Sequence, residues 1–308
     1  MVAGLIYSLP ALFEVRMSPQ LNVWIYGFFQ HSFEQMMRAG GFRPIVFLPH
    51  ALWVALFFLS TLVAAAALTR HAEACMRRKL IMATVYLALV LLACKSLASL
   101  MYALALLPVI FLASARAQIL LALGFGVIAV SWPILRQVGL VPLDWILMQA
   151  EAINPDRAQS LGYRFHNEDM LLERVREKPL FGWGGWGRNL VREIETGQII
   201  SIPDGRWILT FGTYGWVGYL SEMGLLALPL AMLGWYSRRA LSPYVAPVAL
   251  ILAITMIDML LNDTLVPFVW LVAGAVLGYA EKLRFEAPRP AETAALPGSS
   301  PPRRRTVI

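Results

Sequence analysis

The sequence predicts an all-α fold, a polytopic membrane bundle of about eight membrane segments with a largely helical cap on its outer face. Three observations carry this. First, of 308 residues 58% are hydrophobic and only 15% charged, with a mean hydropathy of +0.63. A soluble domain carries about 25% charged residues, so this chain cannot clothe itself for water. Second, the apolar residues come in blocks near helix-span length and do not alternate as barrel strands do. Third, Lys and Arg fall at every other boundary between blocks. Together these exclude a soluble single domain, a disordered chain and a disulfide scaffold.

The clear blocks are 46–69, 80–94, 97–113, 118–135, 216–236, 245–261 and 265–280. An eighth, 2–15, is too short to span alone. It lacks the basic start and small-residue cleavage site of a signal peptide. It is expected to be the second half of a helix, with the chain starting upstream or truncated. Arg70, Arg77, Arg78 and Lys79 form one basic loop, followed on the same side by Arg116, by Arg238 and Arg239, and by Lys282, Arg284 and Arg303 to Arg305. The net charge of +7 is therefore chiefly a topology signal, not a nucleic-acid surface, and the basic side is expected to be cytoplasmic. The opposite face receives the loop near 16–45, the Lys95-Ser96 turn, the long segment 136–215 and the Asn262-Asp263 turn.

The predicted organisation has four parts. Residues 1–135 hold the N-terminal membrane helices, 136–215 the cap, 216–281 the C-terminal membrane helices and 282–308 a disordered cytoplasmic tail rich in Pro, Ala and Arg. The cap segment has nine basic and ten acidic residues, as long translocated loops tolerate. Cys75 sits in a basic loop and Cys94 in an apolar block, so neither a disulfide nor a metal site is suggested.

Candidate chemistry lies on the outer face. Arg164 precedes an amphipathic helix that runs into Pro179-Leu180-Phe181-Gly182-Trp183-Gly184, where Pro ends the helix and the glycines permit a tight turn. Asp204-Gly205-Arg206-Trp207 follows. Each candidate has a plainer reading beside it. Arg164 can be a surface partner of Glu168, Arg43 a juxtamembrane anchor, Lys95 a helix terminator and Asp204 a cap for a helix starting near Arg206. His50 can be a satisfied helix-end histidine, and His166 is a second base candidate. Glu222 and Asp258 are ionisable residues inside predicted spans, where such groups are functional candidates by default. The stretch from Trp24 to Phe29 is expected to be an interfacial aromatic belt or a re-entrant segment, with a border of a lipid-carrier groove as the functional alternative.

The order of these pieces resembles the O-antigen ligase and O-antigen polymerase superfamily of bacterial inner-membrane proteins. Phe42-Arg43-Pro44 before Val46-Phe47-Leu48-Pro49-His50 is similar to the family's Gly-Arg segment before an early span. Lys95-Ser96-Leu97-Ala98-Ser99-Leu100 resembles its Ser-Arg-Gly-Ala-Leu turn. Arg164, the helix and Pro-Leu-Phe-Gly-Trp-Gly are similar to its Arg, helix and Pro-Leu-Leu-Gly-x-Gly. The segment 204–218 resembles its His-Asn-x-Tyr-Leu stretch. The resemblance implies a periplasmic cap and transfer or polymerisation of a glycan from an undecaprenyl-diphosphate carrier, in O-antigen or exopolysaccharide synthesis. The acceptor would be another glycan or lipid A core, and no cofactor or metal would be needed.

On that implication Asp204, Arg164 and Arg206 are the catalytic candidates, with Arg43, Lys95, Glu222 and His50 binding substrate. Arginine forks suit a diphosphate leaving group, and a carboxylate suits removal of the acceptor proton. The ligases have a histidine where this chain has Asp204, which favours a polymerase or an exopolysaccharide relative. Two other classes stay open, a transporter or flippase of a glycan or anion and an inactive truncated scaffold.

Overall fold

The computed structural model describes residues 1–285 except 39, 154 and 240. It is 71% helical, with 11 helices and almost no strand. In chain order they are α1 (Val2–Met17), α2 (Leu21–Tyr26), α3 (Ala51–Arg70), α4 (Ala74–Ala93), α5 (Leu97–Leu112), α6 (Ala115–Gln137), α7 (Leu143–Ile153), α8 (Pro155–Arg176), α9 (Arg206–Trp235), α10 (Val245–Asp258) and α11 (Pro267–Phe285). A two-residue antiparallel pair, β1 (Met37–Arg38) with β2 (Gly41–Phe42), lies in the loop before α3.

Three helices, α3, α6 and α9, are long and apolar enough to cross a membrane, and α5 and α10 are shorter apolar helices. The core runs through α3 and α10, which are buried on nearly every side. The outward faces are also apolar. Ile6, Leu9, Val85, Leu89, Leu104 and Leu271 are all exposed. Water penalises such a surface and lipid does not, so the belt fits a bundle whose solvent is the bilayer.

Most predicted blocks coincide with helices, and the differences have simple causes. α4 starts at Ala74, not 80, because Arg77, Arg78 and Lys79 are good helix formers that hydropathy discounts. α11 continues to Phe285, so the predicted tail boundary at 282 falls inside a helix. The remainder of that tail lies outside the described residues. The basic loops meet at one end of the bundle. Arg70 donates to the carbonyls of Ile110 and Ala113, and Arg239 to that of Leu283. His71 and Tyr244 stack edge to face there, with ring centroids 5.7 Å apart.

The predicted span 216–236 is only the second arm of α9. The helix breaks at Gly215, whose φ of 63° and ψ of −161° lie in a region open essentially to glycine. The first arm, 206–214, turns back so far that Arg206 and Thr210 both reach Glu222. A break of this kind releases backbone groups on both sides. Here the motif at 179–184 takes them up. Trp183 and Gly184 donate their amides to the carbonyls of Gly212 and Thr213, at 3.0 and 2.8 Å. Trp216 and Val217 donate to the carbonyls of Pro179 and Leu180, at 2.8 and 3.1 Å. The glycines serve this close backbone approach. A Cβ on Gly182 would stand 2.5 Å from the Thr213 carbonyl carbon.

Between α6 and α9 lie α7 and α8, which pack on each other, and the 177–205 loop. Phe165, Glu168, Leu171, Leu172 and Val175 are buried at helical spacing on α8, while His166 faces outward and is exposed.

Candidate functional site

Opposite the basic loops, the middle of α8 and the ends of α3, α9 and α10 bring most of the predicted residues together. The hub is the turn after α10. Arg164, from α8, donates to the Leu261 carbonyl at 3.1 Å and to Asn262 Oδ1 at 3.2 Å. Its Nε lies 3.5 Å from Asp204 Oδ2, with both side chains about one-third exposed. Asn262 passes the contact inward by donating to Asp258 Oδ1 at 3.1 Å. Asp204, Arg164, Asn262 and Asp258 thus form a polar line from α8 and the loop before α9 into the apolar bundle.

Arg206 approaches the same turn from the other side. Its backbone amide donates to the Asn262 carbonyl at 3.3 Å, and its Nη1 is 3.5 Å from Asp263 Oδ1. Its Nε and Nη2 grip Glu222 in a bidentate pair at 2.9 and 2.5 Å, and Thr210 adds a 2.8 Å bond to the same carboxylate. This pair clasps the two arms of α9. Glu222, a candidate substrate-binding residue, therefore sits in a polar contact that the fold-back itself creates.

The plainer readings of the sequence fare unequally. Arg164 is not paired with Glu168. That carboxylate is buried, 3.3 Å from Arg136 and 3.1 Å from the Trp207 indole nitrogen that donates to it. Burial pushes the Glu168 carboxyl up to about 7, against the lowering effect of Trp207 and Arg136. Asp204 does not cap α9. The cap position is Gly205, with no side-chain bond, so the Asp204 carboxylate is left to Arg164. His50 does act as a helix-end acceptor, its Nδ1 taking the Leu52 amide at 3.0 Å.

His50 also belongs to the cluster electrically. Its ring is 4.6 Å from that of His31, nearly perpendicular. Burial lowers its pKa most, and the nearby His31, Arg43, Arg164 and Arg38 lower it further, to about 4. Four basic groups from separate parts of the chain therefore act on one imidazole. An NMR pH titration of His50 is expected to show a neutral ring throughout pH 5 to 8. A midpoint at the ordinary histidine value of about 6.5 would show that the ring is not buried beside these cations.

Arg43 is buried, its backbone amide bonded to the Met36 carbonyl at 2.8 Å. Lys95 donates its Nζ to the Arg38 carbonyl at 3.0 Å, which pins the hairpin that carries Arg38 and leads to Arg43. Two residues escape a reading of the sequence. Arg38 is one basic residue in a loop of mixed composition. Glu14 is a lone carboxylate in an apolar helix, a usable signal. Its Oε2 accepts the amides of Ile45 and Val46 at 2.9 and 2.7 Å, and its Oε1 that of Leu21 at 3.1 Å. It thereby holds the segment between Arg43 and His50. No group of three or more metal-ligating side chains occurs among the described residues.

Fold and site together describe an all-helical, membrane-type bundle with a polar cluster at one end. No protein-family model, no curated protein and no solved structure matches the chain.

Proposed function

We propose that the chain is a glycosyltransferase-type enzyme of the bacterial inner membrane, crossing it with about eight segments and holding its cap in the periplasm. Its donor is an undecaprenyl-diphosphate-linked glycan, and its acceptor is a second glycan or lipid A core, with polymerisation favoured. The observation that carries this reading is the Arg164–Asp204 pair, an accessible cation and an accessible carboxylate 3.5 Å apart at the polar end of an apolar bundle. Arg43 and Arg38 lie near enough to His50 to act on it along with Arg164. Such a place can hold a lipid-borne diphosphate whose tail stays in the bilayer.

In the proposed reaction the acceptor hydroxyl oxygen bonds to the anomeric carbon of the donor sugar. The bond from that carbon to the diphosphate oxygen breaks, and its electron pair stays with the diphosphate. The acceptor proton passes to the Asp204 carboxylate. Arg164, helped by Arg43, stabilises the charge that builds on the leaving diphosphate. Binding of the diphosphate by Arg164 frees Asp204 from its ion pair, so donor binding and base activation are coupled. Arg206, gripped by Glu222 and Asp263, fixes the helix start next to Asp204, and Lys95 fixes the hairpin.

The test uses membranes supplied with the carrier-linked repeat unit. Arg164→Ala and Asp204→Ala are each expected to reduce polymer and released carrier diphosphate by at least about a hundredfold, the scale of a lost general base or charge stabiliser, with unchanged protein in the membrane. Unchanged polysaccharide length and amount in both variants would overturn the enzyme reading. Vectorial uptake of the intact donor without bond cleavage would replace it with transport.

A further inference from the structure

A cavity of about 330 Å³ opens between the 185–190 loop, Pro203 and the first arm of α9, against the chain that carries Asp204. Pro203 and Arg206, which flank Asp204 in sequence, both line it, together with Thr210, Asn189, Tyr214 and Trp186. Its chemistry differs from that of the arginine cluster. The Arg206 charge is already matched by Glu222 and Asp263, so no uncompensated cation faces the space. The Thr210 hydroxyl donates its proton to Glu222 and retains lone pairs for an incoming donor. A neutral, hydroxyl-rich ligand suits such walls, and a diphosphate does not.

Two costly features sit in the same walls. Trp186 is 96% exposed and has a φ of 65°. A bulky side chain in the left-handed region is an outlier, and leaving an indole in water adds a second cost. Gly185 and Gly187 flank it and give the loop the freedom to hold it out. Tyr214, half exposed beside the break at Gly215, lines the same cavity. Asn189 is almost wholly buried in the wall, and its amide nitrogen has no acceptor among the described residues. An observed strain of this kind is a fair starting point for a functional hypothesis. An aromatic face held out at the mouth of a largely apolar pocket, whose one cation is already paired, is what stacking against the C–H face of a sugar ring requires.

We infer that this cavity is the acceptor-sugar subsite, in which a pyranose ring stacks on Trp186 and presents a hydroxyl toward Asp204. This rests on the proposed transferase reading and names the substrate class of the same site. The larger cavity of about 530 Å³ on the far side of Leu190 is lined by Arg174, Lys178, Arg188 and Arg192 with Glu173 and Glu177. Its charged walls make it a poorer match to a neutral ring.

The experiment uses the full chain in nanodiscs. The probe is the soluble oligosaccharide repeat unit cut from the host's own surface polysaccharide, with inorganic pyrophosphate as the competitor. Wild type is expected to bind the oligosaccharide saturably. Trp186→Ala should weaken binding about tenfold, the worth of one aromatic contact, while Trp186→Phe retains most of it. In turnover, Trp186→Ala should raise KM for the acceptor with kcat little changed. No binding to wild type, equal binding to Trp186→Ala, or displacement of the oligosaccharide by pyrophosphate would each overturn the subsite. Normal turnover with an indifferent Trp186 would overturn the subsite and leave the transferase standing. Tight, Trp186-dependent binding with no turnover by wild type would do the reverse.

Discussion

Gly215→Ala is expected to destabilise the protein by about 3 kcal/mol or more, combining a backbone region reserved for glycine with a steric clash. The added Cβ would collide with the Leu180 carbonyl group, which is backbone and cannot swing aside. Relief would require the 179–184 segment to leave the α9 break and expose the four backbone bonds it makes there. The two arms would then part and separate Arg206 from Glu222. Thermal unfolding in detergent should show a markedly lower midpoint and a reduced yield of folded protein. Gly274→Ala, where a Cβ would meet open space, is the matched control and should stay close to wild type. A Gly215→Ala protein as stable as that control would mean that α9 does not fold back on itself.

Arg136→Met is expected to cost about 3–5 kcal/mol, the range for removing one partner of a buried ion pair. Arg136 and Glu168 side chains are each only 4% exposed, so the carboxylate left behind keeps the Trp207 indole but no cation. The loss should depend on pH. Burial already raises the Glu168 carboxyl from 4.5 to about 7, so the native state holds that proton more tightly than the unfolded chain. The associated stability is fully present below pH 4.5 and is lost as pH rises through about 7. Arg136 works against this rise, so its removal moves the midpoint higher and deepens the loss at neutral pH. Melting curves of both proteins at pH 5 and pH 8 should converge in acid and diverge in base. A constant gap between them would show that Glu168 does not titrate in this range.

Part of this architecture is legible in the amino-acid sequence. Helices α3, α5 and α10 lie close to their hydropathy blocks because a bilayer-sized apolar run has one economical conformation, with every backbone group bonded internally. The helical character of α8 is legible from its spacing, and its Pro179 stop from proline chemistry. Arg164, Asp204 and Arg206 stand out as candidates because charge is scarce in this chain. Their partners do not. Arg164 and Asn262 are 98 residues apart in sequence, and Arg136 and Glu168 are 32 apart. Local pattern carries no record of such meetings. The first arm of α9 is hidden for a related reason. Its apolar residues serve a break at Gly215, and the partner that makes the break tolerable is the separate 179–184 segment.

By itself, then, the amino-acid sequence determined that this chain is an apolar helical bundle, where most of its helices run, and on which loops its few charges lie. Those properties follow from composition and from the single period of the α-helix. Tertiary structure alone decided that α9 doubles back, that the glycine motif laces its break, and that Arg164, Asp204, Arg206 and His50 share one end with a strained, exposed Trp186. Each of these depends on which distant backbone or carboxylate fills a space left by another element, and that is settled only when the helices pack.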